Sequence, residues 1–293
     1  MADIEFTVEG GVGRILLNRP HRKNAFTFGM LEDWASILDN AQHDDAVRVV
    51  TVSGAGGAFC AGVDLEDFAT ERATPYSDKA MLTDRVHIVA RAVERFDKPY
   101  IAGVSGVAVG AGMDMALMAD IRVAAESARM SEGYIRVGLL PGDGGCHFLP
   151  RLVGKAKALE LLWTGDFVDA ETALEIGLVN HVYPDGEFDA NLDEFACRLA
   201  AQPPLAMRMI KRATVHGETL PLAASLDLIS SHQAIIQSTE DSVEAMAASG
   251  RSARVFLSAG SRRPCSMLLR SSGPGGSKGC RMTSPASVHV ICT

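Results

Sequence analysis

Apolar and polar residues alternate in Ile4-Glu5-Phe6-Thr7-Val8, break at Gly10-Gly11 and resume in Gly13-Arg14-Ile15-Leu16-Leu17, the period-two pattern of a β-hairpin. The period then lengthens. Met30, Leu31, Trp34, Ile37 and Leu38 recur at helical spacing, which predicts a helix capped by Thr27 and running to about Ala41. Continuous apolar runs over 47–52 and 99–104 read as buried strands, separated by a long helix from about Ser77 to Phe96. A helix over 111–119 and a strand over 120–125 follow. Strands alternating with crossover helices predict a parallel, helix-covered sheet, an α/β fold. From Gly145 onward the pattern is almost wholly helical, at about 145–151, 155–163, 170–177, 187–201, 203–216 and 219–238, with one short strand from Leu178 to Tyr183.

At 293 residues and 47% hydrophobic, the chain can bury one substantial core and carry a smaller appendage. No apolar run reaches the roughly 18 residues that span a bilayer, and Met1-Ala2-Asp3-Ile4-Glu5 is acidic where a signal peptide is basic. A cytoplasmic protein with no membrane partner is therefore expected. The net charge of −8 argues against nucleic acid as a partner, because counterion-release binding needs clustered Lys and Arg. His21-Arg22-Lys23 is a local basic spot where a polyanionic ligand could still dock. Six cysteines without C-x-x-C spacing suggest neither a disulfide framework nor a zinc site. His43, His87 and His147 each stand alone in helical-looking sequence and read as ordinary packed or surface residues, so no metal is expected.

Residues 251–293 differ in kind. They hold six Arg, one Lys and no acidic residue, so +7 there sits beside −15 on the rest of a chain whose net charge is −8. A composition so rich in Ser, Gly, Pro and Arg specifies no packed core and predicts a basic, disordered tail.

The chemistry concentrates in two turns. Gly56-Gly57-Ala58-Phe59-Cys60-Ala61-Gly62-Val63-Asp64-Leu65 follows one apolar strand, and Val104-Ser105-Gly106-Val107-Ala108-Val109-Gly110-Ala111-Gly112-Met113-Asp114 joins another to an apolar helix. A strand that breaks into small residues before a helix presents free backbone N–H groups, a geometry suited to negative charge on an oxygen. Neither Gly-rich stretch is a cofactor motif: Met115 stands where a dinucleotide fingerprint needs its third glycine, and there is no phosphate-loop Gly-Lys-Ser/Thr.

These turns, together with Asn18-Arg19-Pro20 through Asn24-Ala25 and with Pro141-Gly142-Asp143-Gly144-Gly145, resemble in order and spacing the crotonase family, the enoyl-CoA hydratase/isomerase superfamily. The resemblance covers about residues 3–248. It implies a crotonase-like spiral of ββα units over 1–195, a helical trimerisation region over 196–250, assembly as a homotrimer or dimer of trimers, and an acyl-CoA substrate with no separate cofactor, coenzyme A being part of the substrate. It also implies that the N–H groups of Val63 and Ala111 form an oxyanion hole for a thioester enolate. Arg22 and Lys23 are then placed for the coenzyme phosphates, and Ala25, Ala61, Asp64, Leu65, Gly110, Tyr134 and Pro141 for other substrate contacts.

Hydratases of this family use two glutamates. Here Asp114 stands at the first position and Tyr134 at the second, with Glu132 two residues before it. Family members that move double bonds carry an Asp in the turn that holds Asp143, and some have Asp where Asp114 stands. Asp143 is accordingly expected to be the main proton carrier and Asp114 a second one, for double-bond isomerisation ahead of hydration. Thioester hydrolysis and non-catalytic acyl-CoA binding are the competing readings.

Overall fold

A computed structural model describes residues 2–68 and 74–249. Strands β1 (Ile4–Glu9) and β2 (Val12–Leu17) form the expected hairpin through Gly10-Gly11, both at positive φ (62° and 85°), the two-residue turn whose twist suits antiparallel strands. Helix α1 (Phe28–His43) begins where expected, with Thr27 accepting from the Met30 N–H at 3.2 Å. Strand β3 (Val49–Gly54) and helices α2 (Pro75–Met81) and α3 (Ile88–Arg95) follow. The expected single helix from Ser77 is thus in two parts joined by a π-turn at Leu82–Val86. It starts earlier because Thr74 is the true cap and Ser77 is its third-residue partner in a capping box.

Next come β4 (Tyr100–Val104), β5 (Val107–Val109), α4 (Ala111–Leu117), β6 (Ile121–Ala125), β7 (Arg129–Ser131), α5 (Gly145–Val153), α6 (Lys155–Thr164), β8 (Val168–Asp169), α7 (Ala170–Glu175) and β9 (His181–Tyr183). Helices α8 (Phe188–Ala200), α9 (Pro204–Gly217), α10 (Leu222–Gln237) and α11 (Glu240–Ser249) close the described chain. The main sheet runs β1-β2-β3-β4-β6-β9 and is parallel from β2 onward, as the alternation of strands and helices predicts. A small second sheet, β5-β7-β8, was not evident as separate strands, since two or three residues are too few to show a period.

Successive residues of the central strands face opposite ways, and both faces are covered. Val50, Val52, Ala102 and Ala124 pack in a core with α1 and α3, whereas Val49, Ile101 and Val123 meet Phe188, Leu192 and Phe195 of α8. This double burial is why those strands read as unbroken apolar runs. It also places α8 with the sheet, so a boundary at 195/196 falls inside one helix and the outer helical region begins at α9. Ion pairs tie α9 to the core: Arg208 to Asp97 at 2.7 Å and Lys211 to Asp120 at 2.7 Å. No helix among the described residues is long and apolar enough to cross a membrane. The expected basic tail, 251–293, lies outside the described residues.

Candidate active site

The two donor turns converge. Phe26 pairs with Val63 and Cys60 with Ala108 in isolated parallel bridges, so the loop before α1, the turn after β3 and strand β5 are stitched side by side. A side chain at Gly112 would run into the Cys60 backbone carbonyl, so only glycine lets the start of α4 approach the other turn this closely. A Cβ placed on Gly62 would lie 3.7 Å from the amide nitrogens of Ala111 and Gly112. Among the described residues, no acceptor takes up the N–H of Val63 or of Ala111, the first residue of α4. The arrangement offers two adjacent donors at the positive end of a helix.

A buried latch holds the turns in place. Asn24, fully buried at positive φ (57°), donates to the carbonyls of Ala55 (2.9 Å) and Ala58 (2.7 Å) and accepts from the Arg19 N–H (2.9 Å). Arg19 donates to the Ala25 carbonyl at 2.6 Å and to Asp64 at 2.8 Å. Asn24→Ala is expected to destabilise the protein by about 1–3 kcal/mol, the cost of leaving buried polar groups unpaired, and a urea midpoint comparison checks it.

Three carboxyls and a phenol cluster between the first turn of α4 and the start of α5. Asp114, in the first turn of α4, is fully buried; Glu132, just past β7, is 1% exposed, and Asp143, in the turn before α5, is 4% exposed. Tyr134 lies within 2.8 Å of Asp114 Oδ2 and 3.1 Å of Asp143 Oδ2 through its hydroxyl. A phenol carries one proton. Both contacts are two-centre hydrogen bonds when the hydroxyl donates to one carboxylate and accepts from the other carboxyl in its protonated form, the arrangement that spares the buried pair a second negative charge. Asp114 also accepts the Asp143 N–H at 3.2 Å, and the Gly145 backbone at the start of α5 lies against it.

Burial pushes all three carboxyls up. For Asp114, the nearby Asp143 charge adds to burial, while bonds from Tyr134, Glu132 and Gly145 favour its ionised form. For Glu132, burial comes first and the Asp114 charge second, and its bond to Asp114 raises it further. Asp143 is raised by burial and partly restored by Tyr134 and by His87. Tyr134 is held firmly in its neutral form, by burial and then by the Asp114 and Asp143 charges.

Other expected contacts divide. The Asp64 carboxylate accepts from Arg19 and from the Glu66 N–H (3.0 Å), which makes it part of the latch beside the donor Val63. Arg22 is exposed and pairs with Glu66 at 3.0 Å, beside Lys23. Ala25 and Ala61 are bound into the latch through the Ala25 carbonyl and an Ala61 N–H that donates to Lys23. Gly110 donates to the Ser131 carbonyl at 2.8 Å, immediately before the donor Ala111. Leu65 is 78% exposed. Pro141 opens the Asp143 turn and lines a cavity of about 600 Å³ with His87, Arg91, Asp143, Phe148 and Lys211.

Three participants escaped the sequence. Arg19 and Asn24 lie in a motif whose residues revealed no role. His87, read as an ordinary histidine, ends the π-turn and its Nε2–H donates to the Gly142 carbonyl at 2.8 Å, bracing the Asp143 turn. Isolated π-turns often mark functional sites, but nothing in the sequence shows one.

The doubly covered parallel sheet, its paired donor turns and the carboxyl cluster at the start of α4 define a protein of the crotonase fold. The enoyl-CoA hydratase/isomerase family model matches residues 7–252, and the chain belongs to that family. It is 36% identical over 242 residues to 1,2-epoxyphenylacetyl-CoA isomerase of Escherichia coli K12, covering 82% of this chain and 92% of that one. It is 32% identical over 241 residues to the short-chain-enoyl-CoA hydratase of Clostridium acetobutylicum, covering 82% and 91%. The crystal structure of enoyl-CoA hydratase from Bacillus anthracis superposes with a TM-score of 0.82 at 30% identity, over 87% of this chain and 99% of that one. The protein is thus an enzyme of the hydratase/isomerase kind.

Proposed function

We propose that this enzyme shifts a carbon–carbon double bond in an acyl-CoA thioester, with Asp114 and Asp143 as its proton carriers. The observation that carries the reading is the Tyr134 hydroxyl shared between those two buried carboxyls, a site that favours one of them protonated over two negative charges. A proton shift along an acyl chain needs one carboxylate to take a proton and one acid to give it back. Ionised Asp114, with its donors, takes the proton from the carbon next to the thioester. The electron pair moves onto the carbonyl oxygen, where the N–H groups of Val63 and Ala111 stabilise the enolate. Asp143 returns a proton two carbons further along and the double bond re-forms beside the carbonyl. Atoms and charge balance, and no redox partner enters.

Hydration is the second reading, favoured by the relatives that are hydratases, since the same carboxylates can activate water. Purified protein given crotonyl-CoA and a 3-enoyl-CoA separates the two. We expect faster loss of the 3-enoyl-CoA to 2-enoyl-CoA than of crotonyl-CoA to its hydroxyacyl product. Release of free thiol from both substrates, with neither of those products, would sink both readings.

The coenzyme is part of the substrate in this scheme, and its phosphates meet Arg22 and Lys23. Arg22→Ala with Lys23→Ala should raise KM several-fold, weaken its salt dependence and leave kcat nearly intact; an unchanged KM would place the phosphates elsewhere. A trimer or a dimer of trimers in the cytoplasm completes the proposal. Exposed Ile210, Leu222, Leu226, Ile229 and Ile235 on α9 and α10 support the assembly. Light scattering at one chain mass would contradict it.

A further inference from the structure

Glu132 has no part in the scheme above, yet it is among the most deeply buried ionisable side chains of the described residues. Neither of its oxygens, nor Asp114 Oδ1, meets a conventional donor. They border one space: a Cβ on Gly145 would strike Asp114 Oδ1 and lie 2.8 Å from both Glu132 oxygens, so the two carboxyls crowd together over the first residue of α5. Two ionised carboxylates cannot share so small a dry space, and a hydrogen bond between them needs a proton.

We propose that Glu132 is held as the neutral acid and donates its proton as a hydrogen bond to Asp114 Oδ1, fixing Asp114 as the ionised carboxylate of the cluster. It is a positioning residue. Asp114 Oδ2 then accepts from the Tyr134 O–H and the Asp143 N–H, and Oδ1 from the Glu132 O–H, which satisfies both of its oxygens. The groups facing Glu132 agree. Asp114 on α4 and Asp143 before α5 are acidic, Tyr134 is neutral, and the Cys146 thiol on α5 is pushed up by burial and then by the Glu132 and Asp114 charges. His87 faces Asp143 and braces its turn. None of these supplies Glu132 with the cation that an ionised form would require. Burial and the Asp114 charge both raise Glu132, in the direction of its neutral form.

The inference rests on the proposed role of Asp114, and its test separates the two. Infrared spectroscopy of the free protein at neutral pH needs no substrate. Part of the protonated-carboxyl C=O band should vanish in Glu132→Gln, and an unchanged band overturns the proposal whatever the enzyme's reaction. In turnover of the better substrate, Glu132→Gln keeps an N–H donor and should stay within about threefold of wild type. Glu132→Ala should lose about tenfold or more, the rate equivalent of one hydrogen bond to a charged group.

The pH profiles carry the sign. Removing the donor in Glu132→Ala destabilises ionised Asp114 and raises its pKa, so the acid limb moves to higher pH. Glu132→Gln leaves that limb in place, because its amide still donates to Asp114, and leaves the alkaline fall set by the protonated Asp143 as well. A folded but inactive Glu132→Gln overturns the proposal, since Glu132 would then exchange protons with substrate itself. Should wild type turn over neither substrate while the infrared result holds, the proposed reaction fails and the Glu132–Asp114 pairing stands.

Discussion

Asp143→Asn is expected to lose at least about 10²-fold in turnover, the usual cost of a missing acid–base group, while a saturated acyl-CoA binds as before. The substitution is nearly isosteric. An Asn amide at this position can still donate to the Tyr134 oxygen, so the turn braced by His87 and Gly142 keeps its shape. What it cannot do is release a proton to carbon. Asp114→Asn should be at least as damaging, because an amide there would turn N–H groups toward the donors that now converge on Asp114. The sequence alone suggests that Asp143 could work by itself; the shared phenol argues that the two act as a pair. Full activity of Asp143→Asn beside a dead Asp114→Asn would assign all the proton work to Asp114.

Ala111→Pro has the other large expected effect, a loss of about 10²–10³ in kcat, comparable to deleting one oxyanion-hole donor. Ala111 is the first residue of α4, where proline is tolerated and its fixed φ suits the helix. The change therefore removes one N–H and leaves α4 intact. Circular dichroism and a thermal midpoint confirm folding, so a loss of turnover is placed at this turn. Undiminished turnover in folded Ala111→Pro removes the enolate-binding role from this turn. A side-chain deletion at Val63, whose contribution is also backbone, should do little.

Much of this was visible in the residues. The hairpin, the Thr27 cap, the buried strands and the two glycine turns each follow from local chemistry within ten or twenty residues. The short strands β5, β7 and β8 carry no usable period, and Ser77 resembles a helix cap because it is half of a capping box. Asp114 and Asp143 could be singled out by position, but their joining through Tyr134 depends on α4, the segment after β7 and the turn before α5 meeting in space. The Glu132–Asp114 contact is hidden for the same reason. Gly145 was its only local trace, a glycine where two carboxyls leave no room for a methyl group. Asp64 illustrates the same point: a conspicuous acid after a donor turn pairs with Arg19, 45 residues away in the sequence.

The central claim is that a carboxylate of this cluster removes a proton from the carbon beside the thioester and that two backbone N–H groups hold the resulting enolate. Mass spectrometry of a 3-enoyl-CoA incubated with the enzyme in deuterium oxide tests it most directly. The account predicts 2-enoyl-CoA formed without uptake of water, with deuterium appearing on the carbons that exchange protons, and both signals largely lost in Asp114→Asn and Asp143→Asn. Deuterium entry and bond shift at the wild-type rate in both variants would contradict it.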